Sequence, residues 1–257
     1  MQLNEIKKLI EDQIDTFLSA GKLSLDLRKK GLIKKIKEDN TPVSNGDIEI
    51  NNIIINKLTQ LTPTIPIVSE ELSDNKNLTD LQNFWLVDPI DGTYDYINDL
   101  DEFTLNVALI INKRPVAGII YAPAKKRMFY SHGIDEAYEL YDTNLKKLNC
   151  KKLTDIGSVK MVSYSDNLKP EIKKIHDSLG VTEFVKMKSS LKFCVIAAGE
   201  FDGYVAEPRA CEWDIAAGHA ILINSGGLIT DFNGNEILYG KKDFKNTSLI
   251  VKRNKIL

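Results

Sequence analysis

From Leu3 to Leu18 the apolar side chains fall at Leu3, Ile6, Leu9, Ile10, Ile14, Phe17 and Leu18. That is the spacing of one buried helical face, and Gly21 reads as its stop signal. A second stretch of the same period runs over 47–61, with Ile48, Ile50, Ile53, Ile54, Ile55 and Leu58. Either Ser44 or Asn45 can cap it. From Ile65 the texture changes to short apolar segments, at 65–68, 84–87, 103–111, 116–121, 128–130 and 137–141. Asn112-Lys113-Arg114-Pro115 forms a turn between two of them, and the pattern predicts a mainly antiparallel meander. Beyond residue 151 strands (159–164, 201–206, 228–230) mix with helices (169–179, 191–198, 213–224). No long linker, low-complexity tract or solenoid repeat interrupts the chain. The expectation is a layered α/β or α+β architecture, with halves 1–150 and 151–257 joined as one compact unit.

Composition narrows the field by exclusion. Across 257 residues the formal net charge is −2, which gives no general attraction to a nucleic acid polymer. Lys29, Lys30, Lys34, Lys35 and Lys37 cluster, and read as a solvated face. The first eight residues hold no continuous apolar stretch, so no secretory signal is expected, and no run is long enough to span a bilayer. Cys150, Cys194 and Cys211 form no Cys-x-x-Cys pair and suit reduced thiols in a cytoplasmic protein, with Cys194 and Cys211 as small buried hydrophobes. His132 and His176 read as surface residues and His219 as a structural histidine, so zinc is not expected.

The chemistry lies in three acidic stations. Ser69-Glu70-Glu71 ends one apolar run. Asp88-Pro89-Ile90-Asp91-Gly92-Thr93 sets two carboxylates three residues apart where an apolar strand breaks into a glycine turn. Cys211-Glu212-Trp213-Asp214 lies far downstream. Two carboxylates about 4 Å apart repel by about 4 kcal/mol at an effective dielectric of about 20. If Glu70, Asp88, Asp91 and Asp214 converge, they therefore need cations, and all-oxygen ligands select hard ions such as Mg²⁺ or Mn²⁺. Two such ions suit phosphate-ester hydrolysis. The short helix opening at Gly92 and Thr93 offers free amides to a phosphate oxygen. The string Asp-Pro-Ile-Asp-Gly taken alone is equally a plain turn.

The string Asp88 to Thr93, followed by Trp213-Asp214-Ile215-Ala216-Ala217-Gly218, resembles the two signature motifs of the inositol monophosphatase superfamily, Mg²⁺-dependent and lithium-sensitive phosphatases. The likeness runs from about Lys37 to Asn224. It implies an α+β fold, a five-layer α-β-α-β-α sandwich. It also implies a first ion on Glu70, Asp88 and the Ile90 carbonyl, and a second on Asp88, Asp91 and Asp214, with two or three ions in all. Thr93 and Asp47 match the dyad that orients the attacking water, so the catalytic set is Asp47, Thr93 and Glu70. Gly92 and Thr93 are the implied phosphate contacts. A homodimer accords with the resemblance, and the partner is a small phosphate ester.

Within the superfamily, Lys37 to Ser44, Glu102 to Ile110, Tyr121-Ala122-Pro123-Ala124 and Ser189-Ser190-Leu191-Lys192-Phe193-Cys194 look most like the 3′(2′),5′-bisphosphate nucleotidases of sulfur assimilation. Ser189 and Lys192 are then expected on the second, non-scissile phosphate or its ribose. A bisphosphate carries the extra charge that a lysine meets. Two departures stand against this. Tyr94 replaces the usual lysine after Asp-Gly-Thr, and Tyr204-Val205-Ala206 lacks the usual arginine, for which Arg209 is a substitute. Glu207 sits where inositol monophosphatases place a hydroxyl-binding glutamate. The balance favours the bisphosphate nucleotide over inositol phosphate or fructose 1,6-bisphosphate. A phosphate-binding scaffold without activity is the alternative from another class, and it requires loss of a ligand or dyad position.

Overall fold

In a computed structural model, residues 1–38, 40–71, 77–150 and 158–253 are described. Asp39, in the segment from Lys37 to Ser44, and Lys151 lie outside them. The chain opens with α1 (Leu3–Glu11) and α2 (Ile14–Lys30), a hairpin of β1 (Lys34–Ile36) and β2 (Pro42–Ser44), then α3 (Asn45–Leu61). Ser44 rather than Asn45 caps α3, its hydroxyl accepting from the Gly46 amide at 3.1 Å.

The expected single helix is two. It breaks at Asp12 and Gln13, where the Gln13 amide turns back to the Leu9 carbonyl at 2.8 Å, and it runs past Gly21 to end at Gly31. Gly21 is no stop signal. A Cβ there would lie 2.2 Å from the Tyr121 ring, so this glycine serves a close approach between α2 and the sheet.

A seven-stranded sheet follows in the order β3 (Ile67–Ser69), β4 (Phe84–Asp91), β5 (Thr104–Ile111), β6 (Arg114–Ala122), β7 (Arg127–Ser131), β8 (Ala137–Tyr141) and β9 (Asn144–Lys147). The short helix α4 (Thr93–Ile97) lies between β4 and β5. Only β3 and β4 are parallel; the rest is the expected antiparallel meander. Asn112 and Lys113, both at positive φ, make the two-residue turn between β5 and β6.

Both faces of this sheet are covered, so its central strands are apolar except where β4 and β5 reach Asp88, Asp91, Thr104 and Asn106. Along β4, Phe84 and Leu86 enter one core while Trp85 and Val87 enter the other. The second core is closed by Ile6, Ile10, Phe17, Ile50, Ile54 and Leu58 of the three N-terminal helices. The first is closed by α6 (Leu191–Ala197) and α7 (Glu212–Asn224). α7 is apolar nearly all round because it lies between two sheets.

The second sheet has the order β11 (Val181–Lys186), β10 (Val159–Ser163), β12 (Gly203–Ala206), β14 (Leu249–Lys252), β13 (Leu228–Thr230). Its outer face carries α5 (Pro170–Ser178), where Ile172 packs on Met161 and Val205. The layers are thus α-β-α-β-α. β9 and β11 escape the hydrophobic pattern because they are edge strands with largely exposed side chains. His132 and His176, expected at the surface, are buried. His132 stacks on Tyr138, and His176 meets the Phe184 ring edge-on. His219 is structural as expected, with Nδ1 2.9 Å from the Tyr239 hydroxyl.

Candidate active site

The three acidic stations converge. Glu70 follows β3, held where its amide donates to the Val87 carbonyl at 3.1 Å. Asp88 and Asp91 end β4 across a bulge. Asp88 pairs with Asn106, but Asp91 pairs with Thr104, so an extra residue kinks the strand and aims both carboxylates inward. Asp214 comes from the first turn of α7, with Oδ2 accepting from the Cys211 amide at 2.7 Å. Ligand oxygens of Glu70, Asp88 and Asp214 all lie within 4.8 Å of one another. Asp91 is not in that triplet. It stands beside it, close enough for its charge to act on both Asp88 and Asp214.

This cluster is electrostatically incomplete. Burial, then the charges of Glu70, Asp91 and Asp214, push Asp88 well above the usual carboxylate range. Burial and the neighbouring acids do the same to Asp214. Asp91 is raised by burial, against the pull of Lys192 and Ser190. Asp88 Oδ1 is buried without a hydrogen-bond partner. A buried carboxylate oxygen left in that state is costly unless something binds it.

Asp47, in the first turn of α3, is fully buried and accepts at Oδ2 from the Ser44 amide (2.8 Å) and hydroxyl (2.6 Å). Burial still raises its affinity for a proton. Thr93 Oγ1 lies 3.0 Å from Asp47 Oδ1 and 3.0 Å from the Ile90 carbonyl. Its single proton goes to one of them at a time. Gly92 fits this corner by its φ of 91° and by size, since a Cβ would come within 2.8 Å of the Glu102 carbonyl oxygen.

A cavity of about 360 Å³ opens beside the acids, lined by Asp91 and Asp214 and also by Lys188, Ser189, Lys192 and Arg209. Gly92 also lines it, whereas Thr93 is turned to Asp47. Lys192 is buried and donates to the Ser189 carbonyl, and Ser189 has a φ of 51°. Burial pushes the Lys192 ammonium down to about 8, with Asp91 opposing. The Arg209 guanidinium lies 3.9 Å from the centre of the Tyr164 ring. Glu207 accepts from the Tyr164 hydroxyl (2.7 and 2.9 Å) and pairs with Lys169 at 2.8 Å. Those contacts outweigh its burial and lower its pKa.

Sequence reading missed several members of the site. Ser190, next to the chosen Ser189, bonds at Oγ with Asp91 Oδ2 (2.7 Å) and the Asp214 carbonyl (2.6 Å), and accepts from Asn106 (2.9 Å). The repeated serine was the available signal. Lys37 does not belong to a solvated face. Its ammonium lies 3.0 Å from Glu70 and 2.7 Å from Glu71, a pairing across the fold that local composition does not show. Lys188 and Asp95, 2.7 Å apart, also carried no motif signal. Tyr94 lines the cavity, whereas Tyr96 is core, its hydroxyl donating to the Ser24 carbonyl at 2.7 Å. Trp213 packs in the core, and Cys211 is only partly buried, unlike Cys194.

Comparison with known proteins agrees with this geometry. The family described as the inositol monophosphatase family matches residues 6–257. The protein named 3′(2′),5′-bisphosphate nucleotidase CysQ from Aggregatibacter actinomycetemcomitans is 32% identical over 248 residues, 95% of this chain and 92% of that one. Its namesake from Buchnera aphidicola is 34% identical over 239 residues, covering 91% and 88%. The crystal structure of CysQ from Bacteroides thetaiotaomicron superposes with a TM-score of 0.76 at 28% identity, over 94% of this chain and 96% of that one.

Proposed function

The chain belongs to the inositol monophosphatase family, and within it we propose a divalent-metal-dependent 3′(2′),5′-bisphosphate nucleotidase, releasing the 3′-phosphate of adenosine 3′,5′-bisphosphate and leaving adenosine 5′-monophosphate. The observation that carries the reading is an acid cluster with an orphaned buried oxygen on Asp88, two of whose members, Asp91 and Asp214, line a cavity together with Lys192 and Arg209. The names of the relatives at 32% and 34% identity support the same substrate.

The donor set fits Mg²⁺ or Mn²⁺, being oxygen throughout and short of positive charge. Glu70, Asp88 and the Ile90 carbonyl would hold one ion, and Asp88, Asp91 and Asp214 a second. Such ions, when bound, supply Lewis acidity toward the phosphoryl oxygens and make a water more acidic. The protein's own part is positioning. Asp47 receives the Thr93 proton at Oδ1, which turns the threonine oxygen's lone pairs toward an attacking water. Ser190 fixes the Asp91 carboxylate. Lys192 and Arg209 meet the phosphate that is not cleaved, and Ser189 holds Lys192 in place.

Lithium, another small hard cation, is expected to inhibit. The reading includes a cytoplasmic setting, with which the absence of a disulfide among Cys150, Cys194 and Cys211 accords. Among the described residues no helix is long and apolar enough to cross a membrane.

Glu207, on the cavity wall, favours a second reading in which a polyol such as inositol phosphate binds there. Against it, the Glu207 carboxylate is already engaged, its oxygens lying 2.7 and 2.9 Å from the one-proton donor Tyr164 and one of them pairing with Lys169. Phosphate release with Mg²⁺ from adenosine 3′,5′-bisphosphate, inositol 1-phosphate and fructose 1,6-bisphosphate decides between them. The nucleotide should give the highest kcat/KM. A higher value for either sugar phosphate would refute the assignment.

A further inference from the structure

The loop between β11 and α6 carries a third cation into the cavity, and its geometry is set from several sides. Lys188 donates its backbone amide to Glu102 Oε2 at 2.9 Å, and the next residue, Ser189, has a φ of 51°. Its ammonium sits 2.7 Å from Asp95 Oδ1 and 5.1 Å from the centre of the Tyr94 ring. Lys188, Asp95 and Tyr94 all line the cavity that Asp91 and Asp214 bound.

The three cations differ in what they have left to offer. Lys192 is 8% exposed and turned to the Ser189 carbonyl. The Arg209 guanidinium lies over the Tyr164 ring. The Lys188 side chain is 37% exposed, while its partner Asp95 is 4% exposed. An ammonium has three donor hydrogens. One goes to Asp95, and two are left for a ligand in the cavity. The buried carboxylate holds the ammonium in one place, so a phosphate arriving there meets an oriented charge with little ordering cost.

We propose that Lys188, held by Asp95 and shelved on Tyr94, is a specificity-determining residue that grips the non-scissile 5′-phosphate at the mouth of the cavity. This rests on the nucleotidase reading and adds to it a residue outside every motif on which that reading was built. It also gives Asp95 a role. Without Lys188 the same carboxylate would stand bare beside a phosphate and repel it. A lysine that merely closed a surface ion pair would affect every substrate alike.

The test compares wild type, Lys188→Ala, Lys188→Arg and the double variant Lys188→Ala/Asp95→Asn, all with Mg²⁺. Substrates are adenosine 3′,5′-bisphosphate and adenosine 3′-monophosphate, which share the scissile ester and differ only in the 5′-phosphate. For Lys188→Ala the ratio of kcat/KM between bisphosphate and monophosphate should fall about tenfold, mainly through KM. Lys188→Arg should recover most of the ratio, and removing the Asp95 charge should recover part of it. A ratio within about twofold of wild type in Lys188→Ala overturns the proposal.

Binding of adenosine 5′-monophosphate, followed by calorimetry, reads the same contact without turnover. Lys188→Ala should weaken it about tenfold, and unchanged affinity overturns the inference even where wild-type turnover of the bisphosphate upholds the function. A wild type that binds this nucleotide through Lys188 yet releases no phosphate from the bisphosphate refutes the nucleotidase reading and supports the contact.

Discussion

On the wall built by β3, β4 and the first turn of α7, Glu70, Asp88, Asp91 and Asp214 crowd together, and Asp88 keeps a buried oxygen with no partner. On the facing wall, Lys188 is paired with Asp95, Lys192 with the Ser189 carbonyl, Arg209 with the Tyr164 ring and Glu207 with Lys169. The first group is held in a shape its own charges resist, while each member of the second has a partner that fixes its position, and the cations keep donors for a ligand. The difference assigns the work. Under the proposed function, an acidic cluster that folding leaves short of positive charge would recruit cations and do chemistry, whereas the cations lining the cavity would read the substrate.

The sharpest way to break that contrast is to remove a charge from the acidic wall. Asp91→Asn or Asp214→Asn should cut turnover on the order of 10³-fold or more. Asp88→Asn should leave the metal-free protein melting at or above the wild-type temperature, because the lost charge was disfavoured by burial and by its neighbours. The same variant should lose the stabilisation that Mg²⁺ gives wild type, about 2.7 kcal/mol at a hundred times Kd, which is read as a rise in melting temperature. Melting curves with and without Mg²⁺ check both. A large drop in metal-free stability would mean that these acids are structural.

Next in size is the dyad. Thr93→Ala keeps all the acids but loses the hydroxyl bonded to Asp47. A loss of about 10²- to 10³-fold, in kcat rather than KM, is expected from steady-state kinetics. On the cationic wall, Lys192→Ala should raise KM for the bisphosphate by about tenfold or more and change the monophosphate much less. Because burial pulls Lys192 down to about 8, its charge is present below that pH and lost above it. Wild-type KM for the bisphosphate should therefore climb as pH passes about 8, and Lys192→Arg should flatten the climb.

An effect on stability alone lies away from both walls. Burial pushes His219 down to about 4, so it stays neutral in the folded protein while the unfolded chain takes up a proton below about 6.5. Stability from this group is therefore lost as pH falls from about 6.5 to about 4, by about 3 kcal/mol in all, and then levels off. The difference in denaturant midpoints between wild type and His219→Gln, measured across that range, isolates it. A difference independent of pH would contradict the buried neutral histidine.

Most of the acidic wall was legible in the chain because its ligands sit in short strings whose local geometry is their function. A bulged strand end, a glycine at positive φ and a helix start are written within a few residues of Asp88, Asp91 and Asp214. The layers were legible for a related reason, since strands buried on both faces read as continuous apolar runs. What sequence pattern did not show depends on distance in the fold. Lys37 reads as one of five solvated lysines until the β1–β2 hairpin brings it to Glu70 and Glu71. Gly21 reads as a helix stop until Tyr121 is laid across it. His132 and His176 carry no periodicity that announces burial, and β11 has no apolar face to betray it. Ser190, one residue from Ser189, meets Asp91 and the Asp214 carbonyl, contacts across the fold that the local string does not show.

The most direct test of the account is a crystal of the wild-type protein soaked in Mn²⁺ and measured at the manganese absorption edge. The account predicts anomalous peaks bridged by Asp88, with Glu70 on one side and Asp91 and Asp214 on the other. A map with no peak at these carboxylates, under conditions where the protein hydrolyses its substrate, would contradict it.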